Sequence, residues 1–95
     1  MENKIMYYVY ILFSEKDRLL YTGYTDDLKS RYKAHVNGFV KSTKFKRPLK
    51  LIYYEGYINE LDARRRESYL KGGNGKLFLK EQLKETYKIE NYKFV

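Results

Sequence analysis

The sequence contains no cysteine, no tryptophan, one histidine and one proline. The absence of cysteine excludes a disulfide framework and a thiolate metal site, and a single histidine excludes multi-histidine zinc sites. Any metal ion would therefore be held mainly by oxygen ligands. The apolar run that ends at Phe13 is much shorter than the roughly 20 residues of a membrane span, and charged residues stand near the start of the chain. We therefore expect a cytoplasmic protein.

Basic residues outnumber acidic ones in this chain of 95 residues, with 20 lysines and arginines against 12 aspartates and glutamates. The formal net charge of +8 creates a positive field that attracts polyanions, and nucleic acid is the commonest such partner. A ribosome-associated or merely soluble basic protein would have the same composition. The apolar content of 43% is sufficient for the core of one small domain, which we expect to span residues 1–95.

The first half of the chain has the pattern of a hairpin followed by a helix. Residues 7–13 and 19–24 are rich in β-branched and aromatic side chains, and a polar segment separates them. This arrangement indicates two antiparallel strands. Thr25 can cap a helix, and apolar residues at helical spacing predict that this helix covers about residues 26–37 and ends at Gly38.

The second half predicts a loop, a third strand and two further helices. Residues 40–48 are cationic and lack a regular period, which indicates an exposed loop. Strand character resumes over residues 49–57, and Asn59 can cap a helix that the glycine run at 72–75 ends. A third helix passes through Leu79 and Leu83, and residues 87–95 form either an added strand or a loose tail. The expected fold is α+β, with a three-stranded antiparallel sheet flanked by helices in the order β-β-α-β-α-α.

Two tyrosines of the predicted hairpin are candidates for an active site. A symmetric hairpin that turns at Glu15-Lys16 places Tyr10 and Tyr21 directly opposite each other on one sheet face. An ordinary aromatic cross-strand pair is the alternative interpretation. Gly23 has no side chain, so a helix or a ligand could approach the second strand closely there.

Three charged or titratable residues on the predicted helices are further candidates. Arg31 and His35 are four residues apart, so both can lie along the edge where the first helix meets the sheet and could hold a phosphate there. A solvated arginine beside a half-buried histidine is the alternative. Glu67 lies on the inner side of the second helix, where a carboxylate needs a cation or a hydrogen-bond network. The neighbouring arginines at 64–66 could supply a structural ion pair instead of a metal ion.

The order and spacing of these residues resemble the GIY-YIG nuclease superfamily, and within it the short stand-alone bacterial proteins predicted to be endonucleases. The resemblance covers about residues 7–83 and is carried by Tyr8-Val9-Tyr10, Tyr21-Thr22-Gly23, Arg31, His35 and Glu67. The first motif lacks the glycine of the family pattern. No residue is a secure match for the asparagine that many members place after the glutamate.

The resemblance implies hydrolysis of phosphodiester bonds in nucleic acid, with DNA as the expected substrate, by an endonuclease that uses one Mg²⁺ or Mn²⁺ ion. It also suggests a role in DNA repair. It implies that Tyr10 and Tyr21 line the active site, Arg31 contacts the scissile phosphate, His35 assists, and Glu67 binds the metal ion. Neither a small organic cofactor nor a membrane partner is expected.

Basic residues around the cationic loop are candidates for contacts to the flanking nucleic-acid backbone, independent of base sequence. They are Lys41, Lys44, Lys46, Arg47 and Lys50. Two alternatives to the nuclease stay open. One is a catalytically silent nucleic-acid-binding module that uses this loop and an aromatic sheet face. The other is a structural domain in which Glu67 and Arg31 are ion-paired.

Overall fold

The computed structural model describes residues 5–90 of the chain. Over these residues, three strands, one turn of 3-10 helix and four α-helices follow one another: β1 (Tyr7–Ser14), β2 (Leu20–Thr25), α1 (Leu28–Val36), the 3-10 turn (Lys44–Lys46), β3 (Leu49–Tyr57), α2 (Glu60–Lys71), α3 (Gly73–Gln82) and α4 (Lys84–Glu90). The strands form an antiparallel sheet in the order β2-β1-β3. The predicted α+β class and the order β-β-α-β-α-α are confirmed, and α4 is an addition.

The central strand β1 is apolar along almost its whole length because helices cover both faces of the sheet. Every residue from Val9 to Ser14 is buried. Side chains alternate between the two faces of a strand, so a strand with one solvated face would alternate apolar and polar residues. Val9 and Ile11 pack on the side of α2, α3 and α4, whereas Tyr10 and Leu12 pack on the side of α1.

The hairpin register differs from the predicted one. Tyr10 pairs with Gly23 and Tyr21 pairs with Leu12, so the prediction that the two tyrosines stand directly opposite each other is wrong. A two-residue turn favours glycine or asparagine because its central residues need positive φ, and Glu15-Lys16 offers neither. The chain instead makes a longer loop that includes Arg18 at φ 59°. The register is shifted by two residues, which preserves the face, so both tyrosines still lie on one side of the sheet.

The helix α1 is confirmed, although its cap is not the predicted one. Asp27, rather than Thr25, is the N-cap residue, and its carboxylate accepts a hydrogen bond from the Ser30 amide at 3.1 Å. Thr25 lies two residues before this cap, at the end of β2, where its hydroxyl accepts a hydrogen bond from the Asp27 amide at 3.0 Å. The chain leaves the helix through Gly38, whose φ of 79° suits a residue without a side chain.

The segment at 40–48 is more ordered than the exposed loop that its composition predicts. Lys44–Lys46 forms a turn of 3-10 helix, and Val40 and Thr43 are buried. Ser14 donates a hydrogen bond from its hydroxyl to the Lys46 carbonyl at 2.7 Å. These contacts depend on where the sheet lies, so local composition could not reveal them.

The last helices also depart from the predicted boundaries. Gly72 ends α2 as predicted, and Gly73 already begins α3, so one residue separates the two helices. Residues 87–90 lie in α4 with Tyr87 buried in the core, which corrects the strand or tail predicted for them. The rest of that prediction, residues 91–95, lies outside the described residues. No helix within residues 5–90 is long and apolar enough to cross a membrane.

Candidate active site

A cavity of about 880 Å³ runs along the free edge of β2. The consecutive residues 19–24 all line it. Because neighbouring residues of a strand point to opposite faces, a cavity that meets every one of them must reach around the edge of the sheet. Residues of α1, α2, α3 and the segment after α1 supply the other walls.

This cavity brings together residues that are far apart in the sequence. The five predicted site residues all line it: Tyr10, Tyr21, Arg31, His35 and Glu67. None of the five loop cations at positions 41, 44, 46, 47 and 50 does so. The five loop cations are therefore not part of the cavity wall that the proposed catalytic residues share.

Tyr10, His35 and Thr43 form a buried chain of hydrogen bonds at one end of the cavity. The Tyr10 hydroxyl lies 2.8 Å from His35 Nε2, and His35 Nδ1 lies 2.6 Å from the Thr43 hydroxyl. Burial, assisted by the positive charge of Arg31, lowers the pKa of His35 to about 4. The imidazole is therefore neutral at pH 7 and donates at one nitrogen while it accepts at the other. Thr43 is a site residue that the sequence did not indicate.

The position of the Tyr10 ring depends on Gly23. The ring packs directly over the backbone of Gly23, where a Cβ atom would overlap the phenol. Arg31 Nε donates a hydrogen bond to the Tyr10 hydroxyl at 3.4 Å. The glycine of the second motif therefore makes room for the tyrosine of the first one.

Tyr21 has a different environment from Tyr10. Its hydroxyl donates a hydrogen bond to Asp17 at 2.5 Å. Burial and this bond to a carboxylate raise the pKa of Tyr21 to about 12. Lys46 Nζ lies 3.4 Å from the same carboxylate. Tyr21 therefore stays protonated at neutral pH and is held as a donor.

Glu67 faces the cavity from α2, with its side chain 20% exposed and 3.1 Å from Lys71 Nζ. The three arginines before it have other carboxylate partners, at positions 60, 62 and 55. Among residues 5–90, no group of three histidine, cysteine or acidic residues could share a metal ion. The available donor is one carboxylate at a cavity open to water. This suits Mg²⁺ or Mn²⁺, which can keep water and phosphate oxygens as most of their ligands.

A clamp between α2 and β3 lies next to Glu67 in the chain. The neighbouring Arg66 makes two hydrogen bonds to Glu55, at 2.8 and 3.0 Å, and its guanidinium stacks over Phe78 at 4.5 Å. Glu55 also accepts hydrogen bonds from the hydroxyls of Tyr53 and Tyr57. Burial alone would raise the pKa of Glu55, but these hydrogen bonds outweigh it and lower the pKa. The clamp stays charged and holds α2 against the sheet.

Comparison with known proteins agrees with this geometry. The family model of the GIY-YIG catalytic domain matches residues 6–85. The chain belongs to the GIY-YIG family. A UPF0213 protein of Clostridium perfringens is 43% identical over 88 residues, which cover 92% of this chain and 94% of the relative. A UPF0213 protein of Pediococcus acidilactici is 41% identical over 81 residues, covering 82% and 78% of the two chains. No solved structure matches the chain.

The GIY-YIG domain of this chain has a second group of cations, which were not predicted to contact nucleic acid. Four basic residues line the cavity from α2 and α3: Arg64, Lys71, Lys76 and Lys80. Lys76 and Lys80 are four residues apart on one helix, and this spacing was the available signal. Asn74, the one asparagine near the position where many GIY-YIG members have theirs, does not line the cavity.

Several cations of the loop have partners of their own. Lys46 lies beside Asp17, and Lys50 Nζ lies 3.0 Å from Glu90. The Arg47 guanidinium packs over Gly38 and donates to a backbone carbonyl at 3.0 Å. The basic residues that line the cavity itself are Arg31 and the four on α2 and α3.

Proposed function

We propose that this protein is a divalent-metal-dependent endonuclease, with residues 1–95 as one domain, that hydrolyses phosphodiester bonds of DNA in the cytoplasm. The observation that carries the proposal is the convergence of Tyr10, Arg31, His35 and Glu67 on one cavity of a GIY-YIG domain. The cavity combines a possible base, a cationic clamp and a carboxylate, which are the groups that phosphodiester hydrolysis requires.

In this proposal Tyr10 takes the proton from the attacking water. Tyr10 acts as the base in its phenolate form, in which His35 stays neutral, donates from Nε2 to the Tyr10 oxygen and accepts the hydrogen bond of the Thr43 hydroxyl at Nδ1. The phenolate takes one proton from the attacking water, and the departing oxygen takes its proton from solvent. Arg31, which donates to the same oxygen, stabilises negative charge that develops there. Tyr21 is an unsuitable base, because it donates to Asp17 and has a raised pKa.

The remaining groups hold the phosphate. Arg31 has a planar guanidinium that can bind two phosphate oxygens, and Lys76 and Lys80 extend the positive wall along α3. Glu67 would hold one Mg²⁺ or Mn²⁺ ion, with the clamp at Arg66 and Glu55 fixing its helix. When bound, the ion supplies charge neutralisation at the phosphoryl oxygens and at the departing oxygen.

The alternative of a silent nucleic-acid-binding module has less support. It needs an open aromatic sheet face, whereas helices pack on both faces of this sheet. Tyr54, 54% exposed and in edge contact with Tyr8, offers a small aromatic patch.

The proposal is tested by incubating the purified protein with end-labelled single-stranded DNA, duplex DNA and RNA, in Mg²⁺, in Mn²⁺ and with a chelator. We expect cleavage with either metal ion, none with the chelator, and faster cleavage of DNA than of RNA. Tight binding of these substrates with no cleavage in either metal ion would favour the silent module.

A further inference from the structure

We infer that Phe39 and Phe45, two exposed phenylalanines of the segment that contributes Ser42 and Thr43 to the cavity wall, stack on unpaired bases of the substrate. The protein would then select nucleic acid in which bases next to the cleaved bond are unpaired, as at gaps, flaps and junctions. The inference rests on the proposed function, which supplies the cleaved bond. It concerns residues 39–46, which we term the phenylalanine loop.

The two rings are unusually exposed for phenylalanine. Phe39 is 80% and Phe45 is 73% exposed, and both stand within one short segment. Single exposed apolar side chains are common on protein surfaces, but two large rings concentrated in one loop mark an interaction site. Within residues 5–90, Phe45 has Lys44 as its only ring contact, with the ammonium 5.5 Å from the ring centre.

The loop that carries the rings is rigidly attached to the candidate active site. Thr43 is hydrogen-bonded to His35, and Ser14 donates to the carbonyl of Lys46. Ser42 and Thr43 themselves line the cavity. A substrate whose phosphate reached Arg31 would therefore pass beside the loop. Rings on a rigid loop lose little conformational freedom when they bind a partner.

The composition of the loop identifies the class of partner. Its exposed residues other than the rings are Lys41, Ser42 and Lys44, and two of these three are cationic. A protein or lipid tail that covered the rings would have to desolvate these charges. A nucleic-acid strand offers phosphates to the cations and flat aromatic bases to the rings, and this pairing is typical of proteins that bind single strands.

The two rings favour unpaired over paired nucleic acid. Within a duplex the flat faces of the bases are covered by their neighbours, so a ring can reach them only at the cost of unstacking. Bases that are already unpaired carry no such cost. The loop is therefore suited to a strand whose bases are free beside the cleavage point.

The experiment compares the double variant Phe39→Ala/Phe45→Ala with wild type and with Ile58→Ala. Ile58 is 81% exposed and does not line the cavity, so it controls for the loss of an exposed apolar side chain. Two DNA probes share one sequence, a full duplex and a duplex with a short unpaired segment that contains 2-aminopurine. Affinity and 2-aminopurine fluorescence are measured without metal ion, so that neither depends on cleavage.

We expect the double variant to bind the unpaired probe about tenfold or more weakly, since stacking on one base contributes about this much, and to lose the fluorescence change. Affinity for the full duplex should change little, and Ile58→Ala should match wild type. Equal affinity of the double variant and the control for the unpaired probe would overturn the inference, as would loss of self-association with unchanged DNA affinity. If the probes show stacking but no substrate is cleaved in Mg²⁺ or Mn²⁺, the proposed function fails and the inferred binding site stands.

Discussion

The hydroxyl groups of Tyr10 and Tyr21 have partners of opposite character, although both line one cavity. Tyr10 contacts a neutral imidazole and a guanidinium, whereas Tyr21 donates to a carboxylate. A nearby cation favours the charged form of a phenol, and a nearby carboxylate disfavours it. The two phenols therefore have separate roles in the proposed reaction.

We predict that Tyr10→Phe lowers the single-turnover rate by about 100-fold or more, because general-base catalysis contributes at least this much. Tyr21→Phe should lower it by less than about tenfold, since that hydroxyl only holds Asp17 in place. The rates are measured at saturating DNA in Mg²⁺. Thermal unfolding of both variants controls for damage to the fold. A larger loss of rate in Tyr21→Phe than in Tyr10→Phe would assign the base to Tyr21.

His35 should make folding stability depend on pH over a defined range. Burial lowers its pKa from 6.5 in the unfolded chain to about 4 in the folded protein. The contribution to stability is complete above about pH 6.5 and is lost as the pH falls through about 4, because only the unfolded state gains a proton in that range. Relative to His35→Gln, wild type should lose about 1 kcal/mol of unfolding free energy per pH unit in this range. Urea unfolding at several pH values measures it, and parallel pH curves for the two proteins would contradict the burial of a neutral imidazole.

Individual site residues could be predicted from the sequence where spacing and residue type were informative. The positions of Tyr10, Arg31 and His35 follow the order of the family motifs, and the structure places them within one cavity. Thr43 could not be predicted, because its contact with His35 exists only once the segment after α1 folds back over the helix. A threonine among lysines has no local feature that distinguishes it from a surface residue.

The strand β2 contributes to the site through its side chains and also through Gly23, which has none. Gly23→Ala would place a methyl group inside the Tyr10 ring, whereas Gly73 has open space at the same position. We predict that Gly23→Ala lowers the cleavage rate at least about tenfold and lowers the unfolding free energy by about 1–3 kcal/mol, as overpacking does. Gly73→Ala, at the start of α3, should change the unfolding free energy by less than about 1 kcal/mol and leave the rate unchanged. Equal cleavage rates for the two variants would contradict the claim that cleavage depends on the position of the Tyr10 ring.

The helix α3 is expected to hold the DNA backbone through Lys76 and Lys80. Replacing both with alanine should reduce the slope of log affinity against log salt by about 0.9 for each duplex phosphate that the variant no longer neutralises. Replacing Lys84 and Lys88 removes the same charge from residues that do not line the cavity and should change the slope less. Salt titrations of metal-free binding measure both slopes. Equal slopes for the two double variants would show that the DNA backbone does not bind along α3.

Helices and strands could be predicted where the sequence has a strong periodic pattern. They were harder to predict where contacts between distant residues determine the register or the boundaries. The third strand was predicted over 49–57 and is β3 (Leu49–Tyr57), and Asn59 caps α2 as expected. The hairpin register was wrong, because side chains at the turn stabilise a longer loop than a symmetric turn allows. The helix α4 was missed although Tyr87 follows Leu83 by four residues, since a short polar helix has a weak apolar pattern.

At the scale of the molecule, the net charge of +8 and the placement of the cavity both fit the proposed binding and cleavage of DNA. A positive surface attracts DNA without regard to sequence, and the chemistry is confined to the cavity at the edge of the sheet. The proposal therefore requires that binding and cleavage be separable by mutation.

Glu67→Gln tests this separation most directly, because glutamine keeps the size of the side chain and a hydrogen-bonding oxygen but removes the charge that would hold the metal ion. Cleavage of labelled DNA in Mg²⁺ and metal-free affinity are measured on the same preparation of wild type and variant. We predict that the variant loses about 100-fold or more in cleavage rate while its affinity changes by less than about threefold, since the basic residues supply the binding. Cleavage at the wild-type rate by Glu67→Gln would contradict the proposed active site.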